Sequence, residues 1–278
     1  EDVSVQRLEG HASTLADVLA ETYTDAVVIV HDGRIVYEQY SNGMAADTPH
    51  LLMSVTKSVV GSVAGILVEK GLLDPEALAS QYVPEVEGSG YGGATVRNLL
   101  DMRTGVRFSE EYTNPAAEVR VMERYMGWRP QKEGDELHGM YEYLTTMEAD
   151  TLHGGPFVYR SSDTDMLGWV CERAAGARMA DLISHLIWQP MGAEFDAEIT
   201  CDRVGSAIHD GGMSARARDM ARFGQLILND GFVGERPVLS KQWITHARTI
   251  DPPKTLAELQ AEWDASPHAD PNAKPPTE

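Results

Sequence analysis

Ser54-Val-Thr-Lys57 puts a hydroxyl and an amine three residues apart at the head of an apolar run that extends to Lys70 and is closed by Gly71. On a helix such residues share a face, so the two side chains can meet. A hydroxyl beside an amine in a partly desolvated pocket is a route to an activated nucleophile. The preceding Asp47-Thr-Pro-His-Leu-Leu-Met53 reads as a non-helical approach. Ser54 is therefore expected near a helix N-terminus, where free N–H groups and the dipole favour developing negative charge. Taken alone, the tetrad reads as a helix cap followed by a solvated lysine, because such tetrads are common, and only its context reverses that reading.

A second constellation supplies that context. Tyr159-Arg-Ser161 stands before a helix-like stretch, Asp163 to Ala175, that ends at Gly176. A tyrosine is a poor base, with a reference pKa of about 10. Neighbouring ammonium and hydroxyl groups favour its phenolate. Ser54, Lys57 and Tyr159 would together make a proton relay around a nucleophile. The bland alternative for the second motif is a core tyrosine followed by a capping serine.

The two segments together resemble the serine-reactive penicillin-recognising family: class C β-lactamases, DD-peptidases and related esterases. Ser-x-x-Lys stands about a hundred residues before Tyr-x-[Asn/Ser], as in that family. Gly211-Gly-Met-Ser, followed by Asp219-x-Ala-Arg-Phe-Gly224, is similar to its later helix. Within the family the chain looks most like the 6-aminohexanoate-dimer (nylon-oligomer) hydrolase group. The finer likeness rests on Glu111-Tyr-Thr-Asn-Pro-Ala-Ala-Glu-Val119, Gly127-Trp-Arg129, Tyr141-Glu-Tyr-Leu-Thr-Thr146, Tyr82-Val-Pro-Glu-Val-Glu-Gly-Ser89 and Thr164-Asp-Met-Leu-Gly-Trp169.

The resemblance implies acyl transfer to water through a covalent intermediate. Ser54 is the expected nucleophile, with Lys57 and Tyr159 as a coupled acid–base unit and the Ser54 N–H as one oxyanion donor. It also places Tyr112 over the scissile bond and Trp128 on a loop covering the pocket. Glu123 stands where an acid could pair with a substrate ammonium. Ser161 replaces the family's asparagine with a shorter hydrogen-bonding group, which weakens a β-lactamase reading. The packing alternatives are a loop anchor for Trp128 and a solvated helix face for Glu123, since exposed carboxylates are the rule. The expected activity is cleavage of small linear amides or esters. A carboxylesterase, a β-lactamase or DD-peptidase, and a non-catalytic binding protein on the same scaffold are the alternatives. No cofactor is expected.

The elements that must position these groups are readable in part. The implied fold is α/β of the β-lactamase/transpeptidase type, an antiparallel sheet flanked by helices with a helical insertion lobe. Residues 1–72 would form the first part of the α/β lobe with the nucleophile helix, and 73–200 a mainly helical lobe with the binding loop and Tyr-x-Ser. The chain would return to the α/β lobe over 201–250, and 251–278 reads as a proline-rich, charged, linker-like tail. Ala26 to His31 and Arg34 to Tyr40, joined by Asp32-Gly33, predict a hairpin. Helical patterns are expected over 9–23, 54–70, 95–102, 116–126, 138–149, 163–175, 178–188, 214–229 and 240–247, with a short one after Asp74-Pro75 and a weak one over 255–264. The polar, aromatic-rich stretch from Phe108 to Gly155 reads as a binding loop.

The family's third motif, Lys-[Ser/Thr]-Gly or His-x-Gly on a late strand, is not found. Lys254-Thr-Leu256 lacks the glycine, and His31-Asp-Gly33 and His209-Asp-Gly211 stand too early. The late sheet strands are expected to be absent from this chain and supplied by a companion C-terminal fragment or further residues. A homodimer is also open.

Composition narrows the partners. The 278 residues hold 43 acidic against 23 basic residues, a formal charge of −20. That excludes nucleic acid and anionic membranes as natural partners and leaves a small-molecule substrate. Lysine supplies few of the basic residues, which fits either a salt-rich setting or a high-GC genome. No apolar run is long enough to span a bilayer without interruption. The expectation is a soluble chain, cytoplasmic before periplasmic or secreted. Cys171 and Cys201 are the only cysteines and have no metal-type spacing, so neither a disulfide nor a zinc site is expected. Cys171 reads as a small buried thiol.

Overall fold

The computed structural model describes residues 3–7, 10–134 and 138–249, together with positions 255, 257, 258 and 261. Its centre is a nearly all-buried helix, and the reason lies in composition. Helix α2 (Thr56–Glu69) is apolar on most sides, with Val59, Val60, Val63, Ala64, Ile66 and Leu67 in the core. A helix apolar all round must be covered all round. It packs against α7 (Ser161–Ala175), itself buried from Ser161 through Cys171.

Around this pair the chain runs in order. Strands β1 (Ser4–Gln6) and β2 (Ala12–Thr14) form a small antiparallel ribbon before α1 (Leu15–Glu21). The helix expected over 9–23 therefore begins late. Thr14 is its N-cap in a capping box with Asp17, and the cap requires extended backbone just ahead. Strands β3 (Ala26–His31) and β4 (Arg34–Tyr40) form the expected hairpin, with Asp32 and Gly33 both at positive φ and a bulge at Ile29/Val30. The two-residue turn demands that geometry. Strand β5 (His50–Leu51) then leads into the turn that carries Ser54.

The middle of the chain is helical: α3 (Ala79–Tyr82), α4 (Val96–Leu100), α5 (Glu118–Met126), α6 (Met140–Thr145), α7 and α8 (Met179–Ile183), which continues as one wider turn through Trp188. The helix expected after Asp74-Pro75 starts only at Ala79, because Asp74 Oδ1 accepts the Glu76 N–H and closes a local turn. Strands β6 (Glu198–Ile199) and β7 (Met213–Ala215) precede α9 (Ala217–Leu228). The ribbon β8 (Phe232–Val233) and β9 (Arg236–Pro237) leads to α10 (Lys241–Ala247), capped by Ser240.

Beyond the 26–40 hairpin the sequence reading anticipated none of the sheets, neither the ribbons β1–β2 and β8–β9 nor the one that matters most. Strands β5, β7 and β6 form a three-stranded antiparallel sheet with β7 in the middle, pairing His50 with Ala215 and Leu51 with Ser214. It matters because it clamps the approach to Ser54 onto the segment after Gly211-Gly212. The helix expected from 214 starts at Ala217 for the same reason, since β7 occupies Met213–Ala215. Cys171 is buried and Cys201 exposed, both as free thiols. Among the described residues no helix is long and apolar enough to cross a membrane. The tail from 251, with its expected helix, lies almost wholly outside the described residues.

Candidate active site

Ser54 sits in a single tight turn, Met53–Val55, between β5 and α2. Met53 adopts φ +48°, a left-handed conformation uncommon outside glycine and asparagine. The bend is held from β7: Leu52 N–H donates to the Met213 carbonyl at 2.8 Å, and Met213 N–H donates to Thr56 Oγ1 at 3.2 Å. Ser54 is thus exposed at the head of a buried helix, where amides lack intrahelical hydrogen-bond partners.

Lys57, one turn on, points back. Its Nζ donates to Ser54 Oγ at 3.1 Å and to the Asp210 carbonyl at 2.7 Å, and lies 3.8 Å from Asp210 Oδ2. Tyr159 arrives from the segment just before α7, and its hydroxyl donates to Ser54 Oγ at 2.8 Å. The ammonium lies 5.2 Å from the centre of the Tyr159 ring. The three residues expected to form the relay are in one place.

Ser161 begins α7 and is buried, its N–H donating to Glu110. Glu110 also accepts the Tyr112 hydroxyl at 3.0 Å. Tyr112 is half exposed, with the Arg120 guanidinium 4.8 Å from its ring centre. Burial and Glu110 together push its phenol above the ordinary tyrosine range. Trp128 follows the left-handed Gly127 that ends α5 and lies against Gly211, where an added methyl would stand 3.2 Å from the indole and 3.6 Å from the Met53 backbone. It forms a wall beside the Ser54 turn.

Glu123 is placed differently from a free anionic subsite. Its carboxylate accepts Arg120 Nη1 at 2.7 Å on both oxygens and also takes Arg129 Nε. Two guanidiniums already neutralise it, and Arg120 links it to Tyr112. An exposed helix-face carboxylate is not what the structure shows, because Glu123 is mostly covered by these partners.

Three acidic groups were not anticipated. Glu110 carried no motif. His209-Asp210-Gly211 was set aside for its early position, yet the β5–β7 pairing brings Asp210 to Lys57. Asp165, on the second turn of α7, accepts the N–H groups of His209 at 2.8 Å and Asp210 at 3.2 Å. The usable signal was a buried-helix pattern containing two acids, Asp163 and Asp165, which burial tolerates only with partners. Asp163 takes the Thr104 hydroxyl at 2.8 Å and the Tyr91 hydroxyl at 3.1 Å, and burial pushes its carboxyl up to about 7. Burial also raises Asp165, with the charge of Asp210 adding to it, and raises Asp210 to about 6 against the pull of Lys57 and Ser161.

His209 completes the floor. Its ring lies over Gly168, where an added methyl would come 2.1 Å from Cγ. The Tyr141 hydroxyl donates to Glu172 at 2.6 Å, so at 3.0 Å from His209 Nε2 it accepts an Nε2–H. Burial holds the imidazole at about 3, hence neutral. Among the described residues no group of histidine, cysteine or carboxylate side chains is arranged to hold a metal.

An exposed hydroxyl held by an amine and a phenol is a geometry in which a nucleophile can be activated. Comparison with known proteins gives the family. The family described as Beta-lactamase matches residues 13–273. The 6-aminohexanoate-dimer hydrolase of Paenarthrobacter ureafaciens is 40% identical over 243 residues, covering 86% of this chain and 62% of that protein. A Bacillus anthracis structure provisionally named as a 6-aminohexanoate-dimer hydrolase superposes with a TM-score of 0.84 at 31% identity, over 90% of this chain and 66% of its own. EstCE1, a hydrolase with promiscuous acyltransferase activity, shares the fold at a TM-score of 0.62 and 17% identity, over 88% of this chain and 83% of its own. The chain thus spans slightly less than two thirds of the length of the first two relatives.

Proposed function

The chain belongs to the β-lactamase family, and from that premise we propose that it is a serine hydrolase opening small linear amides or esters, in the manner of the 6-aminohexanoate-oligomer hydrolases. One observation carries the reading: Ser54 Oγ is held at 3.1 Å by Lys57 Nζ and at 2.8 Å by the Tyr159 hydroxyl. In the proposed reaction Ser54 attacks the carbonyl carbon. Its proton passes into the Lys57–Tyr159 unit and on to the leaving nitrogen or oxygen, and water then releases the acyl group. The Ser54 N–H would serve as an oxyanion donor, worth about 2.7–4 kcal/mol in comparable enzymes.

The surrounding side chains give the reading its substrate class. Tyr112 and Trp128 would flank an extended chain entering past Ser54. Ser161 is buried, with its N–H on Glu110 and its hydroxyl turned to Asp210, and so does not present that hydroxyl as a long amide side chain would, which favours linear acyl donors over β-lactams. Glu123, held by Arg120 and Arg129, would act on the substrate chiefly through the Arg120–Tyr112 contact. The natural partner is then a small amide or ester.

The test is a side-by-side assay of a 6-aminohexanoate dimer, short p-nitrophenyl esters and nitrocefin, with fluorophosphonate labelling of Ser54. The expected order is amide and ester turnover well above nitrocefin. Nitrocefin turnover above both sinks the substrate class, and ester turnover alone makes the protein a carboxylesterase. A chain that neither labels nor turns over any of the three is a binding protein on this scaffold.

A further inference from the structure

Behind the Ser54–Lys57–Tyr159 trio lie two acids that the proposed acyl transfer does not use. Lys57 is almost wholly buried, and so is the Asp210 side chain 3.8 Å away. Asp165 is fully buried and reaches the Asp210 backbone N–H with Oδ1. The second oxygen of Asp165 and the Oδ1 of Asp210 are both buried without a hydrogen-bond partner. Two carboxyls therefore share a dry site with one ammonium. A second uncompensated buried charge is unfavourable, and paired carboxyls in such sites keep a proton between them.

We propose that Asp210 is the positioning residue that holds Lys57 in line with Ser54, and that Asp165 carries a proton, so that Asp210 alone bears the negative charge opposite Lys57. The inference rests on the serine-hydrolase reading and deepens it.

The assignment of the proton follows from the partners. Asp165 accepts two amides and makes no ion pair, and the pull of Lys57 on it is outweighed by burial and the charge of Asp210, whereas Asp210 lies 3.8 Å from Lys57. A proton on Asp165 supplies the missing donor at one of the two partnerless oxygens. The other groups facing Asp210 are Ser161 and Asp165 from α7, and Glu110 and Tyr112 from the loop before α5. Lys57 and Ser161 favour the Asp210 carboxylate, and Glu110 opposes it. His209, the chain neighbour, is neutral for the reason given above. The consequence is an acid limb in the acylation step. Protonating Asp210 releases Lys57 from its anchor, so acylation falls as pH drops through the Asp210 titration.

The experiment measures the rate of fluorophosphonate labelling at Ser54, and kcat/KM for a p-nitrophenyl ester, from pH 5 to 8. The wild type should show an acid limb near pH 6. Asp210→Asn should lose that limb and label at least about ten-fold more slowly at pH 8, while Asp210→Glu restores the limb. Asp165→Asn mimics the protonated acid and keeps an amide acceptor, so its limb should stay in place. A limb that persists in Asp210→Asn, or moves in Asp165→Asn, overturns the proposal.

Carboxyl ¹³C NMR of the wild type gives a second route should a variant not fold. One aspartate should stay protonated through neutral pH while another titrates near 6, and two carboxylates ionised together at pH 7 would overturn the assignment. A wild type that never labels at Ser54 removes the hydrolase reading and this inference with it. A wild type that labels, with a profile indifferent to Asp210, removes this inference alone.

Discussion

Tyr159 and Ser54 are 105 residues apart in the chain and share a hydrogen bond of 2.8 Å, because the segment before α7 is laid across the head of α2. Ser54 Oγ also takes Lys57 Nζ, so the hydroxyl is held from both sides. Replacing Ser54 with alanine should abolish labelling and turnover with little effect on the melting temperature, since the side chain is exposed. A variant keeping more than a few per cent of wild-type turnover would falsify the assignment. Lys57→Ala and Tyr159→Phe should each lower kcat by at least about 10²-fold, the usual range for positioned acid–base groups. Because they act as a unit, the double variant should fall well short of the product. Full additivity in steady-state kinetics would show two independent roles.

Gly168 is the point at which α7 admits the His209 ring. An alanine there would put a methyl 2.1 Å from Cγ of a ring held between the glycine and Tyr141. Overpacking of this kind costs about 1–3 kcal/mol. It should also push Asp210 away from Lys57. The expected result for Gly168→Ala is a lower urea midpoint together with a drop in kcat larger than any change in KM. An unchanged midpoint would mean that the loop carrying His209 yields freely.

Glu123 offers a discrimination between two roles. If it pairs with a substrate ammonium, Glu123→Gln raises KM for amino-terminated substrates and spares neutral esters. The two arginines on its carboxylate lead to a different expectation. Loosening Arg120 disturbs Tyr112, so both substrate classes should suffer by similar factors. A selective KM effect on the amino-terminated amide would restore the ammonium role.

Two buried groups should give the fold opposing responses to pH. His209 is held at about 3 against an ordinary 6.5, so the unfolded chain binds the extra proton between those values. Its contribution to stability is present above 6.5 and is lost as pH falls, by up to about 1.4 kcal/mol per pH unit. Asp163 is raised to about 7 from an ordinary 3.8, so the folded state holds the extra proton. Its contribution is present below the ordinary carboxylate value and is lost as pH rises through 7. Chemical denaturation from pH 4 to 8 should show the acid-side loss reduced in His209→Gln. In Asp163→Asn, which keeps an acceptor for Thr104 and Tyr91, the decline toward pH 7 should be reduced. Parallel curves for all three proteins would contradict both assignments.

What the amino-acid sequence determined by itself is what local spacing can encode. Ser54 and Lys57 meet because three residues on a helix make one face, and the 26–40 hairpin is set by Asp32-Gly33 between two strand-forming runs. The order Ser-x-x-Lys, Tyr-x-Ser, Gly-Gly was enough to bring the family into view and to single out three side chains that the structure brings together. The tertiary structure decided the partners of each charge. Strands β5, β6 and β7 are two or three residues long, too short to show alternation, and β5 exists because it pairs with β7 across more than 150 residues of chain. That pairing delivers Asp210 to Lys57. Glu123 reads as a partner for a substrate ammonium or as a solvated acid until Arg120 and Arg129, the latter beyond the end of α5, are found on its carboxylate. A carboxylate's chemistry depends on what cation, amide or empty space it meets when buried, and contacts between distant segments settle that.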